Sequence, residues 1–301
     1  MKRILVVQTT RMGDVLQTTP LIRAIRSRYP DAHIAVLIRD MGQSIAAMDP
    51  DIDEVRVYNE DGMFNNMRAK DSERLLKAYD EAREYIQWVR DQKFDVAYNC
   101  TNSISSAMLL KLAEVPKVVG ADMSDDWHFV LRGRWVNYFF TSVFHRDFND
   151  LNLCDISGRF SEDAEPARQL VMDVPPDVEP TVEQLLARHD VKPDDFIVCF
   201  QLGASEASKR WSEVNFARLG RLLVEQYKAR IFLLGVKAEA PLGESFEQHA
   251  PGLAVPLYGE TSIAEVAALL QRARLLVTND TGTMHIAAAV NCPVKIGRAH
   301  V

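Results

Sequence analysis

Apolar and polar positions along this chain follow two alternating rhythms. Short, nearly continuous apolar runs at ILVVQ (4–8), HIAVLI (33–38), VRVYN (55–59), FDVAYNC (94–100) and KVVGA (117–121) read as strands buried on both faces. Between them the apolar residues take helical spacing, as with Leu16, Leu21, Ile22 and Ile25 within 15–30. Further helices are expected at 41–48, over the long charged stretch 71–91, and at 105–113. Strands alternating with helices imply a parallel sheet covered on both sides.

The rhythm breaks over SEDAEPARQLVMDVPPDVEP (161–180), an acidic stretch with four prolines, and then restarts. Helices are expected at 181–190, 212–228, 262–273 and 283–290, and strands at 196–204, 229–235 and 274–280. The pattern therefore predicts two open α/β domains, 1–165 and 181–295, joined by a linker over 166–180. A length of 301 residues suits two cores better than one.

Composition narrows the function. With 47% hydrophobic and 26% charged residues the chain is of soluble globular type. Its formal net charge of −7 gives no general attraction to nucleic acid, and no nucleic-acid partner is expected. Cys100, Cys154, Cys199 and Cys292 form no CxxC pair, so reduced thiols are expected rather than a metal site. The apolar run before Gln8 is too short for a signal peptide, and no stretch approaches the roughly 20 residues of a membrane span. A cytoplasmic location is expected.

In parallel α/β sheets ligands gather outside the carboxyl ends of the strands. The stretch 278–285 runs from a strand into Asp280-Thr281-Gly282-Thr283 and a helix bearing His285, which is either an anion site or a plain helix start. The stretch 201–211 joins a small-residue loop containing Ser205 to Lys209 and Arg210, which suit a diphosphate or stand as a solvated basic pair. Asp14 is expected to open the first helix, as a cap, a general base, or both. Asn99, Thr101, Asn102 and Ser103 end a strand, where they would touch substrate hydroxyls or cap the loop. No GxGxxG follows the first strand and no GxxxxGK[ST] occurs, which argues against a nicotinamide dehydrogenase and a P-loop kinase. Ser124-Asp125-Asp126 reads as a solvated loop, and the aromatics Trp127, Trp135, Tyr138, Phe139, Phe140 and Phe144 read as packing.

RILVVQTTRMGDVLQTTPLIRAIRSRYPDAHI, FDVAYNCTNSISSAMLLKLAEVPKVVG, QLGASEASKRWSEVNFARL and LLVTNDTGTMHIAAAVNCPV, in this order and spacing, together resemble the glycosyltransferase family 9 heptosyltransferases. The resemblance spans residues 2–294. It implies a Gram-negative source and a GT-B fold, two Rossmann-like domains facing across a cleft. It implies an inverting, metal-independent transfer of heptose from ADP-heptose to a lipopolysaccharide core acceptor. No cofactor is implied beyond the donor itself.

By the same resemblance Asp14 is the general base and Lys209 serves the sugar phosphate. Ser205, Arg210, Asp280, Thr281, Gly282, Thr283 and His285 hold the donor, and Glu239 touches its ribose. Gly13, Thr101, Asn102, Arg68 and Lys70 fall to the acceptor side, the last two in a loop before the long helix, where they would meet an anionic group or remain solvated. An acceptor linked to lipid A would bring the enzyme to the cytoplasmic face of the inner membrane as a peripheral protein. A related transferase using another nucleotide sugar, or a non-catalytic sugar-nucleotide-binding or glycan-binding relative, are the alternatives; the presence of Asp14 and Lys209 disfavours the latter. The pattern departs at the end: IGRAHV (296–301) is the translation of a common sequencing adapter, so this tail is expected to be non-native. Arg298 and His300 then carry no function, and the second domain is expected to be incomplete.

Overall fold

The computed structural model describes residues 1–144, 149, 151–162, 167 and 169–297. Arg298 and His300, part of the linker and the Phe144 side chain lie outside the described residues. The chain divides into two compact units, Met1–Val171 and Met172–Val301.

The first unit contains β1 (Arg3–Gln8), α1 (Met12–Arg28), β2 (His33–Ile38), α2 (Gln43–Ala46), β3 (Glu54–Val57), α3 (Glu60–Arg68), α4 (Ser72–Gln92), β4 (Val96–Asn99), α5 (Ile104–Leu112), β5 (Val118–Met123), β6 (Phe129–Arg132), α6 (Arg134–Phe144) and α7 (Leu153–Ser157). Its sheet has the order β3-β2-β1-β4-β5-β6 and is parallel except for β6, which returns antiparallel against β5. β1 lies inside the sheet, with Ile4 in register with Ile34 on one side and with Val96 on the other. Such a strand meets helices on both faces, and Ile4, Leu5, Val6 and Val7 are all buried.

The second unit contains α8 (Glu179–Arg188), β7 (Ile197–Gln201), α9 (Glu213–Tyr227), β8 (Arg230–Leu234), α10 (Ala240–His249), β9 (Ala254–Pro256), α11 (Ile263–Arg272), β10 (Leu275–Thr278), α12 (Gly282–Ala289) and β11 (Val294–Ile296). Its all-parallel sheet has the order β11-β10-β7-β8-β9. Phe200, Phe216 and Phe246 fill the core between sheet and helices. Ile296, the first residue of the expected tail, closes β11 opposite Thr278.

Several elements differ from the sequence expectation. Residues 60–68 form α3 where a loop was expected: Asn59 accepts from the Gly62 N–H and nucleates the turn, although the segment is polar and contains a glycine. Arg68 therefore sits in the last turn of a helix, and Lys70 follows it with a positive φ of 52°. α6, α10, β6 and β9 also form without having been expected. Asp125 is exposed as expected and pairs with Lys111 at 2.6 Å, which holds its carboxyl below the usual range. Trp127 is exposed rather than packed, whereas Phe140 is buried and Phe139 stacks edge-on against Phe160. Burial pushes the Cys100 thiol up to about 12 and the Cys154 thiol up to about 11, and all four cysteines are free.

Pro20 lies inside α1, where it can offer no N–H to the Leu16 carbonyl. The Thr19 hydroxyl donates to that carbonyl at 2.8 Å instead, and it accepts from the Val171 N–H at 2.8 Å. One buried threonine thus mends the helix and fastens the end of the unit.

Gly120 in β5 has φ of 116°, and a Cβ there would overlap the Asn99 carbonyl oxygen. The obstacle is backbone and cannot rotate away. Gly120→Ala is expected to cost about 2–4 kcal/mol of stability, measured by urea unfolding; a cost under about 0.5 kcal/mol, typical of a surface change, would show that the sheet yields there.

Candidate active site

Each sheet reverses its direction of growth once. In the first unit the chain adds β2 and β3 on one side of β1, then β4 and β5 on the other; in the second, β8 and β9 lie on one side of β7, β10 and β11 on the other. At such a reversal the loops diverge and leave a crevice at the carboxyl edge. Most of the expected site residues flank these two reversals, Glu239, Arg68 and Lys70 excepted. Gly13 and Asp14 follow β1 and Thr101 and Asn102 follow β4, while Ser205, Lys209 and Arg210 follow β7 and Asp280–His285 follow β10.

In the first unit the structure corrects the role of Asp14 as helix opener. The helix cap is Arg11, and Asp14 is the third helical residue, with Gly13 buried before it. Its Oδ2 reaches back to accept from the Arg11 N–H at 3.1 Å. The Thr10 hydroxyl lies 2.7 Å from the same Oδ2 and 2.7 Å from Gln8 Oε1, so its one proton serves one of them at a time. Thr18 donates to the Asp14 carbonyl at 2.8 Å and fixes the turn below. The carboxylate is half-buried and aimed by Thr10 and Arg11, and Thr10 carried no signal that sequence reasoning used.

Thr101 is only 3% exposed, and its hydroxyl accepts from the Thr9 N–H at 2.8 Å. It binds the β1 loop to the β4 loop, the loop-capping role that its place at a strand end also allowed. Asn99 is likewise buried, donating to the Ala121 carbonyl at 2.8 Å and to Ser106 Oγ at 3.0 Å. Asn102 is exposed beside them. Ser103 caps α5, and Ser105 donates to the Glu60 carboxylate at the base of α3. Arg68 and Lys70 lie farther along the β3–β4 crossover, both exposed.

In the second unit the organising residue is one that sequence reasoning missed. Asn279 is fully buried, and its carboxamide donates to the Leu202 carbonyl at 2.7 Å while accepting from the Trp211 N–H at 2.9 Å. It thereby clamps both ends of the loop that carries Ser205, Lys209 and Arg210, and holds that loop beside the start of α12. A single asparagine inside an apolar-to-polar transition carries no periodic signal. Lys209 ends a 3-10 turn, Ala207–Lys209, and pairs with Glu206 at 3.2 Å, a half-exposed contact worth about 0–1 kcal/mol. Arg210 Nε is buried with no hydrogen-bond partner among the described residues.

Asp280 is exposed, Thr281 stands at the N-cap position of α12 with its hydroxyl 3.1 Å from that of Thr278 and no side-chain cap, and Gly282 and Thr283 begin that helix with His285 one residue on from Met284. Free N–H groups at this terminus favour an anion. Glu239 comes from the loop after β8, the neighbour of β7, and its Oε2 accepts from Gln201 Nε2 at 3.1 Å and from the Val236 N–H at 3.0 Å. A Cβ on Gly203 would overlap this carboxylate, so the Glu239 side chain lies in the space that the glycine leaves. The Tyr258 hydroxyl is buried close by without a partner among the described residues, and burial together with Glu239 pushes its ionisation well above the usual range. Among the described residues no group of three or more His, Cys, Asp or Glu could hold a metal ion, and no helix is long and apolar enough to cross a membrane.

Two parallel-sheet units with polar loops at their reversals define a protein of GT-B fold. The chain belongs to glycosyltransferase family 9 (heptosyltransferase), whose model matches residues 82–296, and it is a glycosyltransferase. It is 26% identical over 291 residues to lipopolysaccharide heptosyltransferase 3 of Escherichia coli, covering 94% of this chain and 79% of the relative. Among solved structures it resembles the glycosyltransferase family 9 protein of Veillonella parvula DSM 2008, with TM-score 0.79, 20% identity and coverage of 97% and 79%. It also resembles the E. coli heptosyltransferase WaaC with ADP-2-deoxy-2-fluoro heptose, with TM-score 0.70, 18% identity and coverage of 97% and 87%.

Removing the Asn279 carboxamide leaves the Trp211 N–H and the Leu202 carbonyl buried and unmet. Asn279→Ala is expected to lower stability by about 2–4 kcal/mol in urea unfolding. A loss below about 0.5 kcal/mol would mean that the loop is held by other contacts.

Proposed function

We propose that this enzyme transfers heptose from ADP-heptose to a hydroxyl of a lipopolysaccharide core acceptor, with inversion at the anomeric carbon and without a metal ion. The observation that carries the reading is the Asn279 clamp: it sets Lys209 and Arg210 beside the N-terminus of α12, two cations and a helix dipole suited to a leaving diphosphate. The buried, unmatched Arg210 Nε fits the same anion. Glu239, on the adjoining loop, suits the hydroxyls of a ribose.

In the reaction the Asp14 carboxylate takes the proton of the acceptor hydroxyl. The acceptor oxygen bonds to the anomeric carbon as the bond from that carbon to the diphosphate oxygen breaks, and ADP leaves with the electron pair. Lys209 and Arg210 balance the charge that grows on the departing diphosphate. Thr281, Thr283 and His285 line the turn at which the phosphates and sugar are held, and Ser205 serves the diphosphate from the β7 loop. Gly13, Asn102, Arg68 and Lys70 belong to the acceptor side. The lipid-linked acceptor brings the enzyme to the cytoplasmic face of the inner membrane.

Asp14 both accepts a helix hydrogen bond and serves as base, and the two roles separate by substitution. Asp14→Asn keeps an oxygen for the Arg11 N–H and loses the base; it is expected to lower turnover about 100- to 10,000-fold while ADP-heptose binding by calorimetry is unchanged. Full turnover in Asp14→Asn would reduce Asp14 to a helix-capping group. Lys209→Ala is expected to weaken ADP-heptose binding about tenfold or more, a charged contact being worth about 1.5–3 kcal/mol. ADP-glucose and UDP-glucose serve as donor controls, and loss of turnover in EDTA would overturn metal independence.

A further inference from the structure

The crossover from β3 to β4 is made of α3 and α4, and its outer surface carries apolar side chains that the fold does not bury. Phe64 is 39% exposed, Met67 55%, Leu75 53%, Leu76 62% and Tyr79 63%. Single exposed apolar residues need no explanation, but five large ones on one helical hairpin do. α4 is also longer than the sheet needs. Its 21 residues span about 31 Å at 1.5 Å per residue, and a four-residue strand such as β4 spans only about 13 Å at 3.3 Å per residue. Residues 71–77 are exposed throughout, and Ala78 is the first buried residue of α4. The beginning of α4 and the end of α3 thus stand away from the core of the unit.

Charge is locally positive at the far end of this hairpin, although α3 and α4 over residues 60–92 together carry eight carboxylates against six cations, the exposed Asp80 among the former. Between residues 64 and 79 lie four cations, Arg68, Lys70, Arg74 and Lys77, against two carboxylates, Asp71 and Glu73, in a chain whose net charge is −7. Asp71 is occupied in capping α4, where it accepts from the Arg74 N–H at 2.9 Å. The hairpin leaves the carboxyl edge of β3, and its base is tied by Glu60 to Ser105, just beyond the exposed Asn102 on the acceptor side.

We propose that the α3–α4 hairpin is the surface by which this enzyme sits on an anionic phospholipid membrane. Phe64, Met67, Leu75, Leu76 and Tyr79 enter the headgroup boundary, and Arg68, Lys70, Arg74 and Lys77 meet lipid phosphates. The long basic side chains lie along the apolar surface with their heads in the interface. A second copy of the chain is a poorer occupant, because a two-fold contact would set the same cations against each other. The proposal deepens, and rests on, the reading of the acceptor as lipid-linked: it brings the membrane to the acceptor edge of the first unit.

The test is co-sedimentation of the full chain with vesicles of phosphatidylethanolamine and phosphatidylglycerol, and with vesicles of phosphatidylcholine alone, in the absence of donor and acceptor. The wild type is expected to bind the anionic vesicles, less so as salt rises. Leu75→Ser/Leu76→Ser/Tyr79→Ser and, separately, Arg74→Glu/Lys77→Glu are each expected to lower that partitioning about tenfold or more. These positions are exposed, and an unchanged circular dichroism spectrum and urea midpoint check the fold. Wild type that ignores anionic vesicles, or triple variant that binds like wild type, overturns the proposal. So does a wild-type dimer in gel filtration that the triple variant abolishes. Turnover of a delipidated, water-soluble core acceptor is measured in parallel and is expected to survive in the triple variant. If that turnover is absent in the wild type while vesicle binding follows the pattern above, the transfer reading fails and the surface stands; the converse sinks the surface alone.

Discussion

Right-handed crossovers place their helices on one face of a parallel sheet while it grows in one direction from its first strand, so covering the other face requires growth in the other direction. When growth switches to the other side of the first strand, two neighbouring loops leave the carboxyl edge in opposite directions. That reversal occurs once in each unit here, between β1 and β4 and between β7 and β10. Asp14 stands at the first, and the Lys209–Arg210 loop and the α12 terminus stand at the second. Where loops can form a ligand crevice is set by strand order before any side chain is chosen.

Divergent loops create a cost that the two units meet in the same way. Backbone groups at the mouth of each reversal lose their ladder partners and are too buried for water. In both units an asparagine at the end of the returning strand supplies them. Asn99 serves the Ala121 carbonyl and the Thr101 N–H; Asn279 serves the Leu202 carbonyl and the Trp211 N–H. A carboxamide brings donor and acceptor at once and no charge, which a buried carboxylate would not. The exposed polar groups are thereby mounted on loops held in place by an uncharged side chain.

Much of this was legible from the residues. The buried strands announced themselves as apolar runs, and α1, α4, α5, α9 and α11 as helical spacing. The polar stretches after the strands led to the residues that the structure gathers at the two reversals. Two of the elements that went unseen, α3 (EDGMFNNMR) and α10 (APLGESFEQH), carry glycine or proline, which read as breaks; α3 is made helical by its Asn59 cap and both by what they pack against. The inward commitment of Thr101 and the carboxamide of Asn279 depend on which strands become neighbours, and no local pattern encodes that. Asp14 was placed at the helix start because a carboxylate favours that end; the structure puts it three residues inward, where it reaches back to the Arg11 N–H rather than forward to the next turn.

The junction of Thr19 with Pro20 has a consequence for dissecting the protein. The hydroxyl that mends α1 is also the acceptor for the Val171 N–H, so the last residue of the first unit is wired to the helix that carries Asp14. The natural seam for separating the units therefore lies after Val171, within the proline-bearing stretch. A fragment cut upstream of it would keep every strand of its sheet and still lose the hydrogen bond that fastens the unit's end to α1. The boundary of this unit is written in a side chain more than a hundred residues before the cut.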